Sequence, residues 1–133
     1  MREENQLHGL RAYAAMMNTL DADRLEPFLA EDFVYESQMV FEPLTSKQAF
    51  MEYMRPKLET VKRSNATVYA ELGTVAAYGR QQHCVVLAQN SRENLVGLVL
   101  AKTDGRLLKR LDLCIVPPPH TAERTGEDRR AHV

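Results

Sequence analysis

The chain has no tryptophan, only two cysteines in 133 residues, and no excess of charge of either sign. Each shortage closes a class of function. Cys84 and Cys114 stand far apart inside apolar runs without C-x-x-C spacing, so both read as buried free thiols rather than a redox pair. A net charge of −1, with Lys62-Arg63 and Arg129-Arg130 as isolated pairs, supplies no field for nucleic acid or an anionic membrane. The histidines are scattered, no H-x-x-x-H occurs, and no glycine-rich phosphate loop is present, so neither a metal nor a cofactor is expected. No apolar run approaches the roughly 18 residues of a membrane span, and the opening MREENQLHGLRAY is charged rather than signal-like. A cytoplasmic protein is the expectation.

What is present is the composition of an ordinary globular domain, 44% hydrophobic and 26% charged. The length suits one core, expected over residues 1–116, with a polar tail at 117–133 that three prolines set off from the last strand. Leu7, Leu10, Tyr13, Ala14, Met17 and Leu20 recur at helical spacing, predicting a helix over 5–20. Asp21 or Asp23 can cap a short second helix carrying Leu25, Phe28 and Leu29, with Pro27 in its first turn. The segment DFVYESQ then reads as a strand over 32–38, with Phe33, Tyr35 and Ser37 on one face. Thr45 or Ser46 can cap a third helix whose stripe is Phe50, Met51, Met54 and Leu58, and Pro56 predicts a kink or early stop.

After Asn65 the chain reads as four strands, with turn signals at Gly73, in QNSREN and in TDGR. Helices first and an antiparallel meander last predict an α+β fold. In CVVLA and LVGLVLA both alternating faces are apolar, so two layers must cover the sheet. The helices cover one. For the other, the expectation is a second copy in a twofold homodimer packed sheet to sheet, or else a sheet curled tightly enough to cover itself.

The stretch YAAMMNTLDADRLEPFLAEDFVYES, followed by a loop, a helix and a run of strands, resembles the nuclear-transport-factor-2-like superfamily. That superfamily includes ketosteroid isomerases, SnoaL-like polyketide cyclases, scytalone dehydratase and limonene epoxide hydrolase. The resemblance covers about Leu7 to Val116 and implies a cone, a curved sheet of the cystatin-like type wrapped on helices around an apolar cavity. It does not choose a chemistry. On the isomerase pattern the oxyanion-holding tyrosine falls on Tyr13, the general base on Ser37, and the second oxyanion donor near Gly97 or Leu98. An unassisted serine is no base, and neither Gly97 nor Leu98 is an acid. The acid that hydrolases and cyclases carry late on the last strand has only Asp112 to match it. If Leu107 faces inward, so do Leu111, Leu113 and Ile115, and Asp112 faces away.

Two readings stand. In one, the protein binds a small apolar molecule in a cavity lined by Tyr13, Met17, Tyr35, Ser37, Met54, Leu111 and Leu113. In the other it is a cofactor-independent isomerase, dehydratase or cyclase, with Tyr13 and Tyr35 as electrophiles and His83 or Asp112 as base. A dimeric protein-binding adaptor is a further alternative. Tyr53 and Tyr69 read as core or rim, and Glu36 and Glu71 as carboxylates on a solvated face.

Overall fold

The computed structural model describes residues 2–39 and 42–128; His132, Arg129-Arg130 and the last residues of the tail lie outside them. Helix α1 (Arg2–Thr19) is not merely striped but buried on nearly every side from Gly9 to Met17, with Arg11 the half-exposed exception. Small residues allow this: a Cβ on Gly9 would stand 2.5 Å from Leu108 Cδ2. The chain turns at Leu20, whose φ is +56°. Where a short helix was expected there are two 3₁₀ turns, Ala22–Arg24, with Asp21 as its side-chain cap, and Glu26–Phe28. Pro27 has no N–H with which to extend an α-ladder, and Leu29 is already extended.

Strand β1 (Leu29–Ser37) begins earlier than predicted. Helix α2 (Lys47–Arg63) starts where Ser46 Oγ accepts the Ala49 N–H at 3.0 Å. It does not stop at Pro56. That residue lies on the exposed face, where the freed Glu52 carbonyl can be met by water.

Strands β2 (Val68–Ala77), β3 (Arg80–Gln89), β4 (Leu95–Asp104), β5 (Leu107–Cys114) and β6 (Glu123–Asp128) follow. The sheet order is β1-β5-β4-β3-β2-β6, antiparallel except for the parallel pair β1 and β5. Gly73 is not the turn its type suggested. It sits inside β2, where β6 approaches so closely that a Cβ would meet the Glu123 carbonyl oxygen at 2.8 Å. The turn is Tyr78-Gly79, with φ of +52° and +80° as a two-residue hairpin of the primed type demands. The TDGR turn forms as predicted, closing on Asp104 and Leu107.

The inner face of the sheet, carrying Leu72, Val85, Leu87, Val99, Leu111 and Leu113, packs on α1 and α2 in the main core. The outer face carries a second cluster of Val75, Cys84, Val86, Leu98, Leu100 and Cys114. Leu98 and Cys84 have no exposure and Val86 2% within the single chain. Their cover is the C-terminal segment. After β5 it crosses the outer face against β4 through the 3₁₀ turn Pro119–Thr121, packs Ala122 on that cluster, and delivers β6 to β2. The segment from residue 117, read as a polar tail beyond a domain ending at 116, therefore adds a strand, through Asp128, to the sheet. The uncovered apolar face that suggested a second copy is covered by the chain itself.

On β5 the inward set is corrected at both ends. The register shifts between Lys102 and Thr103, so Leu108 rather than Leu107 joins Leu111 and Leu113 inside. Leu107 and Ile115 are 42% and 44% exposed.

Candidate functional site

The inner face gathers the expected binding residues into one buried group. Tyr13 on α1, Tyr35 on β1, Met54 on α2, and Leu111 and Leu113 on β5 belong to the same core cluster, with Met17. β1 and β5 run in parallel register, placing Tyr35 beside Leu111 and Ser37 beside Leu113. Phe50 packs between the elements, its ring 5.1 Å from Phe33 and 5.2 Å from Tyr35. Tyr53 continues the series outward, 6.1 Å from Tyr35, and its hydroxyl accepts from Lys57 Nζ at 3.1 Å. A row of phenols thus runs from the surface of α2 to the centre of the core.

The two buried phenols, Tyr13 and Tyr35, are held neutral. Burial pushes the Tyr13 hydroxyl well above its ordinary pKa, and the nearby Tyr35 and Tyr53 push it further. Burial also raises Tyr35, with Tyr53 adding and the hydrogen bond with Ser37 opposing. Groups of this kind can donate hydrogen bonds to a carbonyl or an enol but cannot remove a proton at neutral pH. Among the described residues the buried polar side chains are Gln6, Ser37 and Gln82, none of them charged. Ser37, where the isomerase resemblance put its base, is buried beside Leu113, and Gly97 and Leu98, near which it put the second donor, are both buried on β4 without an acid.

The other two catalytic candidates are not brought to this group. His83 is half-buried on β3, with Nε2 3.8 Å from Glu3 Oε1 at the start of α1, more than two turns before Tyr13, and β5 and β4 stand between β3 and the β1 strand that carries Tyr35 and Ser37. Asp112 lies on the outer face, opposite Leu100, and accepts from Arg110 Nε at 3.0 and 3.1 Å. Arg110 also binds Glu36 on β1. Tyr13, His83 and Asp112 therefore do not form one catalytic constellation. Glu71 is likewise engaged on the backbone, accepting from the Gly126 N–H at 2.7 Å. Among the described residues no three His, Cys, Asp or Glu side chains are grouped to hold a metal. No described helix is long and apolar enough to cross a membrane.

Sequence reasoning missed three polar residues that fix this arrangement. Asn18 pairs with both backbone groups of Ala70, at 2.7 and 2.8 Å, and ties the end of α1 to β2. Gln6 Nε2 donates to the Ala101 carbonyl at 2.8 Å. Gln38 Oε1 accepts the Ile115 and Val116 N–H groups, at 2.6 and 2.9 Å, where β5 ends. Asn18 and Gln6 flank an apolar stripe, which is the one signal their positions carried.

No family model matches the chain, and no curated protein matches it. Solved structures do. A SnoaL-like protein of unknown function from Burkholderia thailandensis is 16% identical, with 95% of this chain and 99% of that one covered and a TM-score of 0.58. A proposed polyketide cyclase from Sinorhizobium meliloti is 14% identical, covering 86% of this chain and 100% of that one, with a TM-score of 0.57. A protein of unknown function with a cystatin-like fold from Methylobium petroleophilum is 10% identical, covering 96% and 80%, with a TM-score of 0.59. The fold is the nuclear-transport-factor-2-like, cystatin-like α+β fold. At these identities the likeness establishes the fold and no activity.

Proposed function

We propose that the protein binds a small, largely apolar molecule carrying a carbonyl or hydroxyl, between α1, α2 and the β1–β5 edge of the sheet. The observation that carries the reading is the inner face itself: Tyr13, Tyr35 and Ser37 set among Met17, Met54, Leu111 and Leu113, without a buried charge among the described residues. A few hydrogen-bonding groups in an apolar lining fix the orientation of a neutral ligand, whereas proton abstraction requires a base. Tyr13 is 1% exposed, so a ligand must displace packed side chains. The unbranched Met17 and Met54 can change rotamer at small cost and make that displacement feasible. The oligomeric state is a separate matter, since the strap across the outer face leaves this site unaffected.

Binding can be read with 1-naphthol, whose fluorescence is unobscured in a protein without tryptophan. Saturable enhancement is expected, and Tyr35→Phe should weaken it about fivefold, the share of one neutral hydrogen bond of roughly 1 kcal/mol. Enhancement indifferent to Tyr35→Phe, or no saturation, would remove the site from the inner face. Turnover of a ketone substrate by the unmodified chain would replace binding with catalysis.

A further inference from the structure

The outer face holds a second, differently built cavity. Pairing of β3 with β4 runs from Ala88 and Leu95 to Val85 and Val99 and ends there, although both strands continue, to Arg80 and to Asp104. The two strands part at this end of the sheet. Into the opening on the outer side comes a cavity of about 490 Å³, with Tyr78, Arg80, Gln82, Leu100, Lys102 and Arg110 in its walls. A second hollow of about 250 Å³ shares Arg80, Ala101 and Lys102 with it and reaches Gln6 on α1. The first volume is that of a small organic molecule and far below that of a polymer groove.

The charges are unequal. Arg110 is matched by Asp112 and Glu36, which hold its guanidinium against the wall. Arg80 and Lys102 have no ion-pair or hydrogen-bond partner among the described residues. Of the three cations in the wall, Arg110 faces Asp112 there and Glu36 outside it, which leaves Arg80 and Lys102 as the charges not faced by a carboxylate, in a chain whose net charge is −1. Gln82 is 9% exposed and donates to the Ala77 carbonyl at 2.9 Å, so the wall beneath is rigid. Leu100, beside it, is an apolar floor.

We propose that this opening between β3 and β4 binds a small organic monocarboxylate, its carboxylate held between Arg80 and Lys102 and its apolar body resting on Leu100 and Tyr78. A phosphate dianion would bring a second charge toward Asp112, and the fork of Arg80 matches the planar carboxylate. The site is independent of the inner-face reading, because its residues lie on the other side of the sheet.

The test is a titration of the full chain with benzoate, followed through backbone amide resonances, with benzamide as the neutral counterpart and inorganic phosphate as competitor. Saturable shifts at Gln82, Leu100 and Lys102 are expected with benzoate, at least tenfold weaker with benzamide. The Arg80→Gln/Lys102→Gln variant should weaken benzoate at least tenfold while Tyr35→Phe leaves it unchanged. Should the double variant misfold, Lys102→Gln alone, at an exposed position, should weaken it at least threefold. Equal affinity for benzamide, shifts centred on Tyr13 and Tyr35, affinity untouched by the variants, or phosphate competing as strongly as benzoate binds would each overturn the proposal.

Discussion

The two faces of one sheet are covered by different means, and the difference sorts the chemistry of the molecule. The inner face is closed by helices, and its polar groups are neutral phenols, amides and a serine. The outer face is closed at one end by the strap of residues 115–122 over Cys84, Val86 and Leu98, and left open at the other, where Arg80, Lys102, Arg110 and Asp112 gather. The helix layer excludes water along most of the inner face, short of the β2–β3 hairpin, where Thr74 and His83 are half-exposed. A single extended segment covers only its own width, so charge survives beside it.

The largest test of this contrast is to end the chain at Val116. Uncovering Cys84, Val86 and Leu98 should cost about 3 kcal/mol or more, at the usual worth of buried apolar side chains. Thermal unfolding should shift down, and Cys84 and Cys114, inert to a thiol reagent at pH 8 in the full chain, should react. A shortened chain that melts unchanged with protected thiols would show that the strap is not the cover. A shortened chain that becomes a dimer by light scattering would show a second copy replacing it.

A finer comparison sets one leucine of each face against the other. Leu98 and Leu111 both have no exposure, and replacing either with alanine should cost about 2–5 kcal/mol. Urea unfolding of the two variants checks this. A Leu98→Ala cost below half that of Leu111→Ala would make the outer cluster a veneer rather than a second core.

The smallest expected effect is alkaline. Burial pushes the Cys84 thiol up to about 12 and, with Asp112 adding, the Cys114 thiol up to about 11, from an ordinary 9.0. A folded pKa raised above the unfolded one favours the folded state fully below the unfolded value, and that contribution is lost as pH rises through the folded one. Urea midpoints should therefore decline from about pH 9 upward, and Cys84→Ala should flatten the decline between 9 and 12. A midpoint independent of pH in that interval would mean that the outer thiols are not desolvated.

Much of the fold was legible in the residues. The stripes of α1 and α2, the Ser46 cap, the TDGR hairpin and the doubly apolar strands all rest on local spacing, which a sequence states directly. The misreadings were places where a distant segment decides. Gly73 looked like a turn because its reason, the approach of β6, lies fifty residues away. Leu107 seemed inward because a bulge changes the alternation of β5. Tyr13, Tyr35, Ser37, Leu111 and Leu113 were placed on the buried inner side from their spacing, as the structure has them, while His83 and Asp112 were grouped with them by chemistry alone. Nothing local tells which strands of a sheet are neighbours or which of its two sides a distant strand presents.

By itself, then, the sequence determined α1, α2, the strands β1 to β5, their apolar faces and that Ser37, Gly97 and Leu98 supply no acid or base. Each of these depends on neighbours within a few residues or on residue type. Only the tertiary structure decided what covers the outer face, that the phenols converge, and that β3 and β4 part to leave Arg80 and Lys102 without counterions. Those outcomes depend on contacts between segments tens of residues apart, whose register no local pattern encodes.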